Sequence, residues 1–210
     1  DGLPVDHEAR TVRNDKRCGE PTGAGVAGQE VRLIDRCGDS RQPVDAALDQ
    51  DRLAGIDFTA AAFTNLSGDH LDYHQTADKY LAAKTRLFSA LSPDATAVLN
   101  RHAPEAQSIA QRTHARICWY AVDDKADLTA HVESMTVDGA RFTLEYAGQE
   151  APVITPLLGA YNVANHLAAA GLCLAAGFDL PTVAAGLSSL KAIPGRLEKV
   201  GGGAFSVLVD

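Results

Sequence analysis

The chain has 210 residues, 46% of them hydrophobic, so it is long enough for one domain plus part of another with a sizeable core. Its net charge of −8 at pH 7 argues against nucleic acid as a main partner, and its longest apolar stretch, residues 167–176, is too short for membrane insertion. The four cysteines are scattered without a CxxC pair, and the N-terminus lacks the layout of a signal peptide, so we expect neither disulfides nor a zinc site, and a cytoplasmic protein.

The first 45 residues differ in composition from the rest of the chain. They are rich in charged residues and glycine, and contain no Phe, Trp or Tyr. Such a composition is typical of a disordered or poorly folding segment. We therefore expect an irregular segment over residues 1–45, followed by a folded domain over residues 46–200.

From Phe58 onward, strand-like and helix-like segments alternate. The predicted strands are Thr59–Leu66, Thr96–Leu99 and Ala115–Val122, and the predicted helices are Thr76–Leu91 and Glu105–Arg112. This alternation indicates an α/β fold with a mostly parallel sheet flanked by helices. Ligands of such sheets bind beyond the carboxyl ends of the strands, which is where residues 64–74 would lie.

Acidic and imidazole side chains are concentrated directly after the first predicted strand. Asp69, His70, Asp72 and His74 fall within six residues. These side chains hold or position divalent metals. Asp72 and His74 are better explained as residues that order the loop, and Asp69 can serve only to orient His70.

The next helix carries a lysine in an unusual position. Its apolar stripe consists of Ala77, Tyr80, Leu81, Leu87, Phe88 and Leu91. Lys84 lies within this stripe, whereas Asp78, Lys79, Thr85 and Arg86 form the polar face. One interpretation is a lysine that reaches solvent or pairs with an acid. The other is a desolvated, neutral amine that takes up carbon dioxide, and the resulting carbamate would be a metal ligand.

The middle of the chain changes character. Leu128–Val137 and Arg141–Ala147 are strand-like and are joined through Asp138 and Gly139, a strong hairpin signal. Ala151–Thr155 would extend the same small sheet. We expect an antiparallel insertion on the α/β core, with a packing role.

Two helices and a last strand complete the chain. Asn162–Ala176 is a helix ended by Gly177, and Leu180–Leu190 is a second helix with Pro181 in its first turn. Ala204–Asp210 reads as a strand without a partner. We interpret residues 201–210 as the first strand of a further, C-terminal domain.

Several of these segments, in their order and spacing, resemble the central domain of the Mur ligases. The most specific is Phe63–His74 (FTNLSGDHLDYH) with Lys84 on the following helix, which favours the MurE type. The resemblance covers about residues 46–210. The other matching segments are Ala47–Arg52, Tyr80, Ala82–Lys84, Leu87–Phe88, Leu158–Asn165, Leu190–Glu198 and Val207–Asp210.

The resemblance implies roles for eight residues. Lys84 corresponds to the family's carbamylated lysine and His70 to a magnesium ligand; both would be catalytic and metal-binding. Gln50 and Arg52 correspond to positions that bind the UDP-muramoyl dipeptide. The nucleotide-binding positions are Asn162, Asn165, Arg196 and Asp210. From the residues alone, Gln50 and Arg52 could equally be surface residues, and Asn162 a helix cap.

The implied function is an ATP-dependent amide ligase that uses Mg²⁺. It would add the third amino acid, meso-diaminopimelate or L-lysine, to UDP-MurNAc-L-Ala-D-Glu through an acyl phosphate. That step belongs to peptidoglycan synthesis, and hence to cell wall biogenesis, cell shape and cell division. The alternatives are a non-catalytic remnant, or another Mur or folylpolyglutamate-type ligase.

The chain departs from the family pattern at its N-terminal side. Gln42–Ala46 stand where the MurE type carries a Glu-x-Ser-Ser-His motif, and no GxxxxGK[ST] phosphate loop occurs in the 210 residues. We interpret this as a truncated gene or a reading-frame error near residues 40–46, with the flanking ligase domains missing. We therefore expect the isolated chain to be inactive.

Overall fold

The computed structural model describes residues 56–65, 77–191, 198–200 and 207–209; for residues 77–80, 83, 198–200 and 207–209 the description extends to the backbone only. The strands are β1 (Ala60–Phe63), β2 (Thr96–Asn100), β3 (Arg116–Val122), β4 (Leu128–Thr136), β5 (Gly139–Tyr146), β6 (Gln149–Thr155), β7 (Glu198–Val200) and β8 (Val207–Val209). The helices are α1 (Ala77–Ser89), α2 (Ala106–Ala110), α3 (Ala160–Ala175) and α4 (Leu180–Ser188).

Six of these strands form one sheet in the order β1-β2-β3-β4-β5-β6. The pairs from β1 to β4 are parallel, and the pairs from β4 to β6 are antiparallel. The predicted α/β fold with an antiparallel addition is confirmed. The addition is not a separate small sheet, however, because Leu128–Ala130 of β4 pair with Tyr120–Val122 of β3 and make the two parts continuous.

Helices cover the two faces of the sheet unequally. Phe63 and Leu99 pack with Phe88 of α1 and Ile109 of α2 on one face. On the other face, α3 packs across β1 to β4 and α4 packs on β6. That larger core includes Tyr120, Phe142 and Leu167, all fully buried. Burying apolar strand residues on both faces is typical of parallel sheets.

The two hairpins of the antiparallel part turn in two residues each. Val137 and Asp138 form the first turn, and Gly139, predicted as a turn residue, begins β5 with φ of +133°. Ala147 and Gly148 form the second turn, and both have positive φ, as the primed turns of hairpins require. The predicted hairpin is thus confirmed, with its turn one residue earlier in the chain than predicted.

Local hydrogen bonds mark the end of α3 and the start of α4. Gly177, with φ of +91°, follows the α3 C-cap, and the amide N–H groups of Gly177 and Phe178 donate to the carbonyls of Leu174 and Cys173. This is a Schellman motif, so the predicted stop at Gly177 is confirmed. Asp179 caps α4 by accepting a 2.8 Å hydrogen bond from the Thr182 N–H.

Several predicted strand and helix boundaries are wrong, and one residue predicted on the polar face of α1 is buried. β1 ends at Phe63, since Thr64 and Asn65 have no strand pairing, and α2 is shorter than Glu105–Arg112. Helix α3 begins at Ala160, two residues before the predicted start. Thr85 is buried and not on the polar face of α1; its hydroxyl donates to the Leu81 carbonyl at 2.7 Å, which satisfies the polar group in the interior.

The last predicted strand has a partner within the chain. β8 pairs antiparallel with β7, in a register that joins Val200 to Val207 and Glu198 to Val209. The expectation of an unpaired last strand is therefore wrong, because residues 198–200 provide the missing edge. That residues 201–210 begin a further domain stays a prediction. The irregular segment predicted for residues 1–45 lies outside the described residues. Among the residues that the structure describes, no helix is long and apolar enough to span a bilayer.

Candidate functional site

The carboxyl ends of five strands lie along one edge of the sheet. β1 to β4 run in the same direction, and the two antiparallel steps through β5 return β6 to that direction. Helix α3 starts five residues after β6 ends, so its first turn lies beside this edge. We call it the carboxyl edge; it is where α/β sheets bind their ligands.

Lys84 points towards the carboxyl edge from α1. Its side chain is half-buried, and its Nζ lies 5.9 Å from the centroid of the Phe63 ring, at the last residue of β1. The Phe63 ring in turn meets the Phe88 ring edge to face, with centroids 6.3 Å apart. The Phe63 ring thus lies next to the Lys84 amine, on the apolar side of α1 where the sequence pattern placed Lys84.

A hydrogen-bonded asparagine at the end of β2 was missed by the sequence reasoning. The Asn100 Nδ2 donates to the Thr64 carbonyl at 2.8 Å, and its Oδ1 accepts from the His102 N–H at 3.0 Å. Asn100 thus joins the loop after β1 to the loop after β2. The available signal was a polar residue at the carboxyl end of a buried strand.

The two asparagines of α3 have different environments. Asn162 is 2% exposed, and its Nδ2 donates to the Leu158 carbonyl at 2.6 Å. It does not cap the helix, because Gly159 is the N-cap residue and the Asn162 amide donates to a carbonyl instead of accepting from an N–H group. Asn165 is exposed near the start of α3. Asn162 therefore secures the turn before the helix, and Asn165 presents an amide to solvent.

A buried histidine follows these asparagines. His166 Nδ1 lies 2.7 Å from the Asn162 carbonyl oxygen, and the ring packs edge to face on Phe142. Since the carbonyl can only accept, Nδ1 carries the proton, and Nε2 is buried with no hydrogen-bond partner among the described residues. Burial lowers the pKa of His166 below 6.5, against the opposing effect of the Asn162 carbonyl.

Comparison with protein families agrees with this fold. Residues 45–173 match the Mur ligase middle domain. The chain belongs to the Mur ligase family. The match spans β1 to most of α3 and so includes Lys84, Asn162 and Asn165.

The relatives of this Mur ligase chain are named diaminopimelate ligases. The chain is 43% identical over 171 residues to the UDP-N-acetylmuramoyl-L-alanyl-D-glutamate–2,6-diaminopimelate ligase of Geobacillus kaustophilus, a match covering 78% of this chain and 35% of that protein. It is 40% identical to the ligase of the same name from Gloeobacter violaceus, covering 78% and 34%. The chain thus spans about a third of the length of these relatives.

Solved structures of Mur ligases also superpose on this chain. A UDP-N-acetylmuramoyl-L-alanyl-D-glutamate–2,6-diaminopimelate ligase superposes with a TM-score of 0.66 at 33% identity, covering 76% of this chain and 34% of that one. The MurF of Acinetobacter baumannii superposes with a TM-score of 0.68 at 21% identity, covering 80% and 36%. At that identity MurF shows the fold alone.

The described residues do not by themselves form a metal site. Within the described ranges, no group of three or more His, Cys, Asp or Glu side chains could hold a metal ion. The proposed pair of Mg²⁺ ligands joins Lys84, which is described, to His70, which is not. An amine becomes a suitable oxygen ligand for Mg²⁺ only as a carbamate, so the donor set fits Mg²⁺ if Lys84 is modified.

Five of the eight predicted site residues lie outside the described residues: Gln50, Arg52, His70, Arg196 and Asp210. Their roles stay predictions. Of the other three, Lys84 lies on α1 and Asn162 and Asn165 lie on α3, and these two helices pack on opposite faces of the sheet.

The buried His166 predicts a pH dependence of stability for this Mur ligase chain. Because its folded pKa is lowered, the unfolded state binds more protons as pH falls below 6.5, and the free energy of unfolding should fall by up to about 1.4 kcal/mol per pH unit until the folded pKa is reached. Urea unfolding between pH 7 and 5 measures this. His166→Leu should lose that dependence and exposed His114→Leu should keep it; equal slopes in all three proteins would contradict the prediction.

Proposed function

We propose that this chain is the middle domain of an ATP-dependent amide ligase that adds diaminopimelate to UDP-N-acetylmuramoyl-L-alanyl-D-glutamate. The family assignment supports the ligase class, and the names of the relatives support the substrates. Such a reaction would take place in the cytoplasm and supply a peptidoglycan precursor. The observation that carries the proposal is the placement of the Lys84 amine over Phe63, at the end of the strand that leads into the His70 segment.

Lys84 would act after modification by carbon dioxide. The neutral amine nitrogen forms a bond to the carbon of CO₂, one C=O electron pair moves to oxygen, and the nitrogen loses a proton to water. The Phe63 ring, whose centroid lies 5.9 Å from the Lys84 Nζ, borders the position at which the carbamate would form. The product is an anionic oxygen donor at the carboxyl edge.

Charge neutralisation explains why a ligase would need this donor. The substrate carboxylate must approach the γ-phosphate of ATP, and two anions meet. Bound Mg²⁺ would neutralise the charge that develops between them. Carbamylated Lys84 and His70 would hold one Mg²⁺ there. Asn165, exposed near the start of α3, would contact the nucleotide, while Asn162 would hold the preceding turn.

A chimera tests the function directly. Residues 46–210 would replace the matching segment of the Geobacillus kaustophilus ligase, whose own flanking segments then complete the protein. We expect ATP-dependent ligation of diaminopimelate by the chimera and none by the isolated 210-residue chain, which contains no phosphate loop of the GxxxxGK[ST] type. Product formation is measured by mass spectrometry.

A non-catalytic remnant is the second candidate. The replacement of the Glu-x-Ser-Ser-His motif by Gln42–Ala46 favours it. A chimera that folds and binds ATP but forms no product would support the remnant and contradict the ligase. Ligation by the isolated chain would instead show that the 210 residues suffice for catalysis.

A further inference from the structure

The carboxyl end of β1 is held by one side chain from the adjacent strand β2 and one from β3, the next strand along the sheet. The regular pairing of β1 with β2 stops at Phe63 and Leu99. One residue further along each strand, a side-chain hydrogen bond replaces the backbone pairing: the Asn100 Nδ2 donates to the Thr64 carbonyl at 2.8 Å. From β3, the buried Tyr120 hydroxyl lies 3.4 Å from the Phe63 carbonyl oxygen. The backbone on both sides of the Phe63–Thr64 bond is thus tethered.

The Asn100 amide can make these contacts in only one orientation. Its oxygen must face the His102 N–H, which can only donate, and its nitrogen must face the Thr64 carbonyl, which can only accept. An aspartate of the same shape would keep the first hydrogen bond. It would replace the second by repulsion between two oxygens, so the position requires an amide for a chemical reason.

We propose that Asn100 is a positioning residue for the ligase reaction, because it fixes the carboxyl end of β1 on which the Lys84 amine rests. Asn100 sets the path of the backbone at Thr64, and that path sets the Phe63 ring over which Nζ lies at 5.9 Å. Thr64 also precedes the His70 segment in the sequence. This inference rests on the proposed function of Lys84.

The test uses the 210-residue chain and measures Lys84 itself. Carbamate on Lys84 is quantified by ¹³C NMR with ¹³C-bicarbonate at half-saturation for the wild type, in the presence of Mg²⁺. Asn100→Asp should lower the equilibrium constant for carbamate formation about fivefold, and hence the occupancy about threefold from half-saturation, the effect expected for loss of one part-buried hydrogen bond. Gln107→Glu, an equal change of charge at an exposed position of α2, should leave occupancy unchanged.

A merely structural role of Asn100 is tested separately. Val153→Ala, in the buried core at β6, lowers stability far along the sheet from β1. If occupancy falls only in the Asn100 variants at a temperature where all proteins are folded, positioning is supported. If Asn100→Asp does not fold, Asn100→Ser, which removes the amide without adding a charge, should show a smaller loss.

The outcomes separate the two proposals. Carbamate in the wild type with unchanged occupancy in Asn100→Asp would overturn the positioning role and leave the function of Lys84 standing. The same loss in Val153→Ala as in Asn100→Asp would also overturn it. No carbamate in the wild type, with the signal of Lys84→Ala as the background, would overturn the proposed function of Lys84 and the inference together.

Discussion

Replacing Lys84 by alanine in the active chimera should lower the ligation rate by about two to three orders of magnitude. Loss of a metal ligand that stabilises developing charge typically removes several kcal/mol of transition-state stabilisation. Because the Lys84 side chain points at the end of β1, its removal should leave the buried neighbours Phe63 and Phe88 in place. Steady-state kinetics at saturating ATP measures the effect.

Two further variants show whether the carbamate is responsible. Acetate should restore part of the rate of Lys84→Ala, since it supplies the missing carboxylate, whereas Lys84→Arg should stay inactive because it keeps the charge but cannot form the carbamate. Arg86→Ala removes an exposed cation from the same helix and should retain activity. Full activity of Lys84→Arg, or no rescue by acetate, would contradict the carbamate.

The second large effect concerns stability and the first hairpin. Gly139→Ala should lower the free energy of unfolding by about 3 kcal/mol or more. Gly139 has φ of +133°, a conformation that an L side chain rarely adopts. A Cβ there would also lie 2.0 Å from the Thr155 carbonyl oxygen, which belongs to a paired strand and has little room to move.

Gly148→Ala is the matched control for this substitution. Gly148 also has positive φ, +74°, but a Cβ there would meet no atom within 4 Å. We expect it to cost about 1 kcal/mol, the strain of the backbone alone. Urea unfolding followed by the fluorescence of the single tryptophan, Trp119, measures both. Equal losses in the two variants would show that the contact with Thr155 is relieved without cost.

Local sequence patterns predicted most of the described elements. Alternating apolar segments placed β1 to β3 and the helices between them, because strands and helices differ in the period of their buried side. Gly177 and Asp179 marked helix ends through their own backbone and side-chain chemistry. Boundaries failed where pairing with a distant strand decided them, as at Thr64 after β1.

The candidate site was predictable only in part. Lys84 stood out because a cation interrupts an apolar stripe, and the structure puts its amine at the end of β1. Asn162 was expected near a nucleotide, but its burial and its hydrogen bond to Leu158 depend on how α3 packs. Nothing in the local pattern distinguished His166, whose neutral, buried ring requires the facing Phe142.

By itself the sequence determined the family, the order of the elements and the lysine of interest, because these depend on motifs and on local period. Only the tertiary structure decided which distant groups meet. Asn100 and Thr64 are 36 residues apart and share a hydrogen bond because β1 and β2 are adjacent and parallel. Likewise β8 pairs with β7 through backbone hydrogen bonds, a contact that the local pattern of residues 204–210 did not predict.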